Sequence, residues 1–208
     1  MYNKQIKKIR GIFFLISSCF LFAGCSEEKP ELQEEVVVST EDKNKDAVRA
    51  VLESEFTVPN EEYILIQKNI NKKMDEIKQN LPEGTGFGIP VDSPEWLAYE
   101  ELVETTYKPY FMDYMYEQLI PANKAFQFHL STELEEVRYE MKVRDIQVTK
   151  SENINTPKFY DITAQVEYTN NAGEVSQHEV KGMAILSEPG KIGKFEIRDD
   201  GGLGKQVQ

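Results

Sequence analysis

The chain contains little of the side-chain chemistry that most metal sites and many enzymes use. Only 2 of its 208 residues are cysteine and only 2 are histidine. The histidines, His129 and His178, lack the H-x-x-x-H spacing of a zinc-binding helix, so a zinc site is not expected. No G-x-S-x-G motif is present, so the sequence signature of a serine hydrolase is missing. We therefore expect neither a metal nor a cofactor.

Basic residues are also scarce. The 24 lysine and arginine residues are outnumbered by 36 acidic ones, and the first 24 residues carry four of the basic residues and no acidic residue. The remaining 184 residues therefore have a formal charge of −16. Such a surface repels phosphate backbones and anionic lipid headgroups. The composition argues against nucleic acid as a partner, and any membrane attachment must come from lipid.

No apolar run is long enough to cross a bilayer. The longest uncharged run extends from Gly11 to Ser26 and has 16 residues, fewer than the roughly 20 that a transmembrane helix needs. Four basic residues precede it, namely Lys4, Lys7, Lys8 and Arg10. A basic segment followed by a short apolar run is typical of an export signal. We expect residues 1–24 to form a signal peptide that is removed.

Leu21-Phe22-Ala23-Gly24-Cys25 closes this run and resembles the lipobox of bacterial lipoprotein precursors of the Gram-positive type. The resemblance implies that Cys25 is acylated and that lipid anchors the protein to the outer face of the cell membrane. Cys19 ends a similar pattern, but only Gly11 to Leu15 would precede that box, fewer than the roughly 7–15 residues of a signal core. The alternative is an ordinary secretory signal that contains a cysteine by chance.

The composition divides the rest of the chain into a tether, a domain and a tail. Residues 25–41 are rich in glutamate and contain no aromatic residue, which predicts a disordered acidic tether. Val36-Val37-Val38 interrupts this stretch and suggests an added edge strand. Residues 42–202 are assigned to one folded domain, which must be stable without disulfides. Residues 203–208 are predicted to form a flexible tail.

Apolar residues at spacings of three and four predict three helices in the first half of the domain. The first helix follows Thr40, and the second follows Asn60, which is a suitable N-cap. The third begins at about Pro94. Pro109 is expected to kink or restart this helix before its pattern continues to Pro121.

Alternating apolar residues then predict four antiparallel strands. The first strand contains Tyr139 and Met141, and a change of parity near Arg144-Asp145 predicts a β-bulge or a sharp bend. Asn170-Asn171-Ala172-Gly173 predicts the hairpin turn between the second and third strands. The expected fold is α+β, with N-terminal helices packed on a bent four-stranded antiparallel sheet.

Three segments resemble the NTF2-like, or cystatin-like, cone fold, and in particular exported lipoproteins that use it. They are the helix from Ala47 to Phe56 with Pro59-Asn60-Glu61-Glu62, then Tyr107-Lys108-Pro109-Tyr110, and finally Ile197-Arg198-Asp199-Asp200-Gly201. The resemblance covers roughly residues 42–202. Because these motifs are structural, the resemblance implies a fold more than an activity. It also implies a pocket at the open end between helices and sheet.

An aromatic cluster is the strongest candidate for the lining of such a pocket. Seven aromatic residues lie between Trp96 and Tyr116, and amphipathic tyrosines suit a pocket mouth. The alternative is that these residues cover the core. Asp113 is the acid of this region that fits the role of a base. The predicted pocket-lining residues are Trp96, Tyr107, Tyr110, Tyr114 and His178.

Two other motifs receive structural interpretations. Gly84-Thr85-Gly86-Phe87-Gly88 is rich in glycine, but no strand precedes it and no Lys-Ser or Lys-Thr follows it, so we interpret it as a loop. The acidic clusters Glu133-Glu135-Glu136 and Asp199-Asp200 lack the alternating ligand pattern of a calcium loop. Helix capping and solvated charge explain them more simply.

These observations favour a lipid-anchored extracytoplasmic protein whose domain is a non-catalytic binding or assembly module with a protein partner at the cell surface. Its small-molecule ligand is not defined by the sequence. Two alternatives stay open. One is an isomerase or dehydratase that uses the cone pocket, with Asp113 or His178 as its base. The other is a component of a conjugation or secretion assembly, where similar cone folds occur.

Overall fold

The structure is a computed structural model that describes residues 39–82, 86, 88–119, 121–122, 124–129, 139–153 and 155–207. Helices precede a four-stranded antiparallel sheet, so the predicted α+β class is confirmed. The elements are, in chain order, α1 (Thr40–Phe56), α2 (Glu61–Gln79), α3 (Pro94–Tyr107), α4 (Asp113–Tyr116), β1 (Tyr139–Lys150), β2 (Phe159–Asn170), β3 (Val175–Glu188), β4 (Lys191–Asp199) and α5 (Leu203–Gln206).

The three long helices begin at side chains that cap them. Ser39, Asn60 and Ser93 each accept a hydrogen bond from the backbone N–H three residues further on. Each bond satisfies a donor that the first helical turn leaves without an internal acceptor. Asn60 is therefore the N-cap that the sequence predicts. Pro94 occupies the first turn of α3, where its missing N–H breaks no helical bond.

The chain restarts after α3 and does not continue as one helix to Pro121. The helix ends at Tyr107, because Pro109 has no N–H to donate and its ring crowds the preceding turn. The following segment makes turns on both sides of the four-residue α4. Phe111 forms an isolated parallel bridge with Ile192. This bridge ties the segment to β4 at the edge of the sheet.

The strands form one open sheet in the order β1-β2-β3-β4. The turn between β2 and β3 is closed by Asn170, whose Oδ1 accepts hydrogen bonds from the backbone N–H groups of Ala172 and Glu174. The register between β1 and β2 shifts between Val143 and Asp145, which confirms the predicted bulge. Because a bulge leaves one residue unpaired and bends its strand, the sheet bends at this edge.

Helix α1 covers the inner face of the sheet. Its residues Val48, Leu52 and Phe56 are fully buried and recur at the spacing of one helix face. The helix packs against both β1 and β4, and Ala164 and Val180 on the two central strands are also fully buried. Removing a large apolar side chain from water contributes about 1.5–3 kcal/mol. This core holds the C-terminal half of α1 against the sheet.

The C-terminus differs from the flexible tail that the sequence predicts. Residues 203–206 form α5, Leu203 is fully buried and Val207 is also buried. Tyr168 on β2 donates a hydrogen bond to the carbonyl oxygen of Gln206. A single leucine after two glycines carries no periodic signal, and its burial became evident only with the fold.

Several sequence predictions lie outside the described residues. They concern the signal peptide with Cys19 and Cys25, the tether up to Val38, most of the loop from Gly84 to Gly88, and the cluster Glu133-Glu135-Glu136. Among the helices that the structure describes, none has both the length and the apolar character of a membrane span.

Candidate functional site

The main cleft of the domain has a volume of about 630 Å³. It opens between the C-terminal half of α1, the end of α3, the turns around α4 and strand β4. This volume falls in the range of roughly 300–1,000 Å³ that is typical of small-molecule pockets. About half of the lining is apolar and includes Val51, Phe56, Phe111, Met115, Leu119, Phe128, Phe195 and Ile197.

A buried carboxyl group, that of Glu55 on α1, belongs to the lining of this cleft. Its Oε1 accepts hydrogen bonds from the hydroxyl of Tyr107 at 2.5 Å and from the backbone N–H of Phe126 at 3.1 Å. Its Oε2 accepts a hydrogen bond from the backbone N–H of Gln127 at 3.0 Å. One side chain therefore joins α1 to the end of α3 and to the turn that contains Phe126.

Burial raises the pKa of the Glu55 carboxyl to about 7, because desolvation penalises its charged form. The hydroxyl of Tyr107 and the backbone N–H groups of residues 126–128 act in the opposite direction. These four donors match the roughly four lone-pair positions of a carboxylate. The protein itself therefore satisfies the charged form, and a ligand would have to displace one of these donors to bond to Glu55.

The turn that Glu55 holds packs on aromatic rings. Phe126 has a positive φ of 54°, which is uncommon for a residue other than glycine. Its ring centroid lies 5.2 Å from that of Tyr107 and 5.3 Å from that of His129. The Nε2 of buried His129 is 2.9 Å from the carbonyl oxygen of Ser54. Burial lowers the pKa of His129 to about 4, so its imidazole is neutral near pH 7.

The acidic side chains at the rim of the cleft already have partners. Glu196 forms an ion pair with Lys194 at 3.1 Å. Asp199 and Asp200 accept hydrogen bonds from the backbone N–H groups of Gly201, Gly202 and Gly204. Asp200 thus reaches the first turn of α5 through Gly204, as helix capping requires, whereas Asp199 bonds only to the turn before that helix. In the described part of the chain, no group of three His, Cys, Asp or Glu side chains is arranged to hold a metal ion.

The basic side chains at the rim, Lys124 and Arg198, differ from these acids. Neither forms an ion pair within 4 Å with any residue that the structure describes. Arg198 has a weaker electrostatic interaction with Glu196, whose closer partner is Lys194. The mouth of the cleft therefore presents two cations that are available to an anion.

Of the five residues predicted to line a pocket, Tyr107 lines the main cleft. Trp96 lies instead near the start of α3, where its ring packs against Tyr99 and its indole N–H donates a hydrogen bond to Glu100. Trp96 is partly buried against the core. Its position matches the alternative interpretation, in which the aromatic cluster covers the core.

Tyr110 and Tyr114 also lie outside the lining of the cleft. Tyr110 is partly buried against the core. Tyr114 is 50% exposed, and its hydroxyl donates a hydrogen bond to the carbonyl oxygen of Gly193 on β4. Because the helix ends at Tyr107, these later tyrosines do not continue the face that Tyr107 presents.

The two residues considered as bases, His178 and Asp113, are not part of the cleft lining. His178 is half-buried on β3, with its ring nitrogens 2.8 Å from the hydroxyl of Ser176 and 2.9 Å from the carbonyl oxygen of Gly201. Asp113 is exposed in the first turn of α4. Neither side chain is placed to act on a molecule in the main cleft.

Glu55 was not predicted from the sequence, although its position carries a signal. It lies four residues after Val51 and three after Leu52, within the apolar stripe of α1. A glutamate in such a stripe is seldom buried unless partners satisfy it. The pattern therefore indicates a buried, hydrogen-bonded carboxyl group, but it does not identify the donors.

No protein-family model and no curated protein matches this chain at a significant level. Among solved structures, the chain is similar to the solution structure of the "putative transfer protein TraH" from the Gram-positive conjugative plasmid pIP501. The two are 16% identical, and the match covers 65% of this chain and 94% of that chain with a TM-score of 0.36. Similarity at this level does not by itself support a shared function.

Proposed function

We propose that this chain is a lipid-anchored extracytoplasmic protein whose NTF2-like domain is a non-catalytic binding module with its ligand site in the main cleft. The lipobox-like segment that ends at Cys25 supports the anchor. The volume of the cleft and the apolar half of its lining support the binding role. An apolar cleft gains affinity by removing ligand surface from water, and it needs few polar contacts to do so.

The observation that best supports a binding role over a catalytic one is the hydrogen bonding of Glu55. A general base must reach the proton that it abstracts, and both oxygens of Glu55 already accept hydrogen bonds from Tyr107, Phe126 and Gln127. These bonds shape the wall of the cleft and tie three segments together. The cleft is therefore better suited to holding an apolar molecule than to transforming one.

A fluorescent apolar probe tests this proposal. N-phenyl-1-naphthylamine is neutral and fluoresces more strongly when it leaves water. It is titrated against the full chain in the Cys25→Ser background, so that no protein-bound acyl chain competes for the cleft. The blocking variant is Ala122→Trp, because Ala122 is exposed and lines the cleft. The matched control is Ala172→Trp in the exposed turn after β2.

We expect the probe to bind to the parent chain and to the Ala172→Trp control. Its affinity for Ala122→Trp should be mostly or completely lost. The proposal fails if the probe binds to neither parent nor control. It also fails if Ala122→Trp binds as well as the control does. Urea unfolding of the three proteins shows whether the variants keep the parent's stability, as exposed substitutions generally do within about 0.5 kcal/mol.

The anchor is tested separately by metabolic labelling with an alkyne-bearing fatty acid. The native chain should carry the label and fractionate with membranes, whereas Cys25→Ser should be unlabelled and released. Cys19→Ser is the matched control and should behave like the native chain. Equal labelling of Cys25→Ser and the native chain, or loss of label in Cys19→Ser alone, would assign the modification elsewhere.

An enzyme of isomerase or dehydratase type is a second candidate, since a buried carboxyl group with a pKa near 7 is a common property of catalytic bases. A catalytic Glu55 would have to exchange a protein donor for the ligand. Carbon-13 NMR of the Glu55 carboxyl distinguishes the two roles. A titration curve that a bound ligand leaves unchanged supports binding alone, and a large ligand-dependent shift supports catalysis.

A further inference from the structure

The acidic and the basic side chains at the rim of the main cleft differ in whether they already have partners. The carboxylates of Glu196, Asp199 and Asp200 are held by Lys194 or by backbone N–H groups. A ligand cation would have to compete with these partners. Lys124 and Arg198 have no ion pair within the described residues, so a ligand anion competes only with the weaker electrostatic interaction between Arg198 and Glu196.

The unpaired cations share the cleft with its apolar wall. Both line the same cleft as Phe111, Phe195 and Leu119, and a guanidinium such as that of Arg198 can hold both oxygens of a carboxylate. A ligand that contacts both the apolar wall and the two cations has an apolar body and one negatively charged end. The distant negative charges of the chain oppose an anion weakly at this site, because salt screens charges further away than about 8 Å at physiological ionic strength. The nearer carboxylates of Glu196, Asp199 and Asp200 share the rim and reduce the attraction of the two cations.

We infer that the cleft binds a small aliphatic monocarboxylate, with its chain on the aromatic walls and its carboxylate at Lys124 and Arg198. This inference rests on the proposed binding function and names the ligand class of that site. Each buried methylene should strengthen binding about fourfold. Affinity should therefore rise from octanoate to dodecanoate until the cleft is filled.

The test is displacement of the neutral probe N-phenyl-1-naphthylamine from the full chain in the Cys25→Ser background. Dodecanoate and dodecanol are compared below the concentrations at which they aggregate. Arg198→Gln and Lys124→Gln remove the rim cations one at a time. Arg49→Gln and Lys142→Gln are the matched controls, since they remove the same charges from positions that do not line the cleft. Arg49 is half-buried and pairs with Asp46, and Lys142 is exposed and pairs with Glu140.

Dodecanoate should displace the probe at a lower concentration than dodecanol. Arg198→Gln and Lys124→Gln should each lower the affinity for dodecanoate by about threefold to tenfold, the range of partly exposed charged contacts. The affinity for dodecanol should not change. Arg198→Lys should restore part of the loss. The two control variants should behave like the parent.

The inference is overturned if dodecanol binds as tightly as dodecanoate, or if the matched controls weaken dodecanoate as much as the rim variants do. It is also overturned if the probe binds and neither amphiphile displaces it; the proposed binding function then stands and the ligand class is wrong. Absence of probe binding to the parent contradicts the binding function itself, which separates the two failures.

Discussion

The carboxylate of Glu55 and the hydroxyl of Tyr107 are 2.5 Å apart, although 52 residues separate them in the chain. This bond joins the C-terminal part of α1 to the last residue of α3, and both residues line the main cleft. Hydrogen bonds to charged groups are shorter and stronger than neutral ones. The geometry of the cleft wall therefore depends on a single buried carboxyl group and its donors.

Replacing Glu55 by glutamine should destabilise the domain. The amide keeps the size of the side chain but has one acceptor oxygen, so its NH₂ group would face a backbone N–H or the hydroxyl of Tyr107. Leaving a buried donor without an acceptor costs about 1–3 kcal/mol. Urea unfolding of Glu55→Gln and the parent measures this loss as a shift of the transition midpoint.

Tyr107→Phe is the matched comparison for that measurement. It removes one donor but leaves the backbone N–H groups of Phe126 and Gln127 in place, so its cost should be smaller, about 1 kcal/mol. The double variant should lose less than the sum of the two single losses, because the residues share one bond. Strict additivity would show that the bond contributes nothing to stability.

The free energy of unfolding should depend on pH through two buried groups of opposite sign. Folding raises the pKa of Glu55 from 4.5 to about 7, so its stabilising contribution is full below pH 4.5 and is lost as the pH rises through 7. Folding lowers the pKa of His129 from 6.5 to about 4, so its contribution is full above pH 6.5 and is lost as the pH falls through 4. Between pH 4.5 and 6.5 the two effects oppose each other.

Comparison of the parent with Glu55→Gln isolates the glutamate, because all other titrating groups are common to both proteins. The stability of the parent relative to the variant should fall as the pH rises from 4.5 to 7, by at most about 1.4 kcal/mol per pH unit. The free energy of unfolding of the variant should rise toward neutral pH, because the effect of His129 is then no longer opposed by that of Glu55. A pH-independent difference would contradict the raised pKa of Glu55.

Local patterns predicted the elements better than they predicted the site. The cap at Asn60 and the bulge between Val143 and Asp145 follow from nearby residues, and both are confirmed. The donors to Glu55 come from Tyr107 and from Phe126, which lies 71 residues away. These contacts depend on how α1, α3 and the later turn pack together, and the periodicity of the sequence does not predict them.

The aromatic cluster illustrates the same limit. Trp96 and Tyr107 lie on one helix, but only Tyr107 lines the cleft, because the ends of α3 meet different neighbours. Tyr110 and Tyr114 follow Pro109 and leave the helical face altogether. Aromatic content therefore predicted that this region is structurally important, and it did not distinguish covering the core from lining a cleft.

Two glycines with positive φ allow the cost of a left-handed backbone to be measured separately from the cost of steric crowding. Gly201 has φ +62°, and a Cβ added there would lie 2.8 Å from the carbonyl oxygen of Glu179. Gly173 has φ +80° with open space around it. Gly173→Ala should cost about 1–2 kcal/mol for the left-handed conformation, and Gly201→Ala should cost about 1–3 kcal/mol more because β3 must shift. Equal midpoints in urea would contradict the close approach of Gly201 to Glu179.

Truncating the side chain of Leu203 tests whether the C-terminus belongs to the folded domain. Leu203 is fully buried in the core cluster, so Leu203→Ala removes packed methyl groups and leaves a cavity, at a cost of about 2–5 kcal/mol. Lys205→Ala on the exposed side of the same helix is the control and should change stability by less than about 0.5 kcal/mol. A flexible tail would make the two variants equal in urea unfolding. A large difference between them shows that residues after Gly202 stabilise the domain, because the cost of a cavity arises only where a side chain is packed.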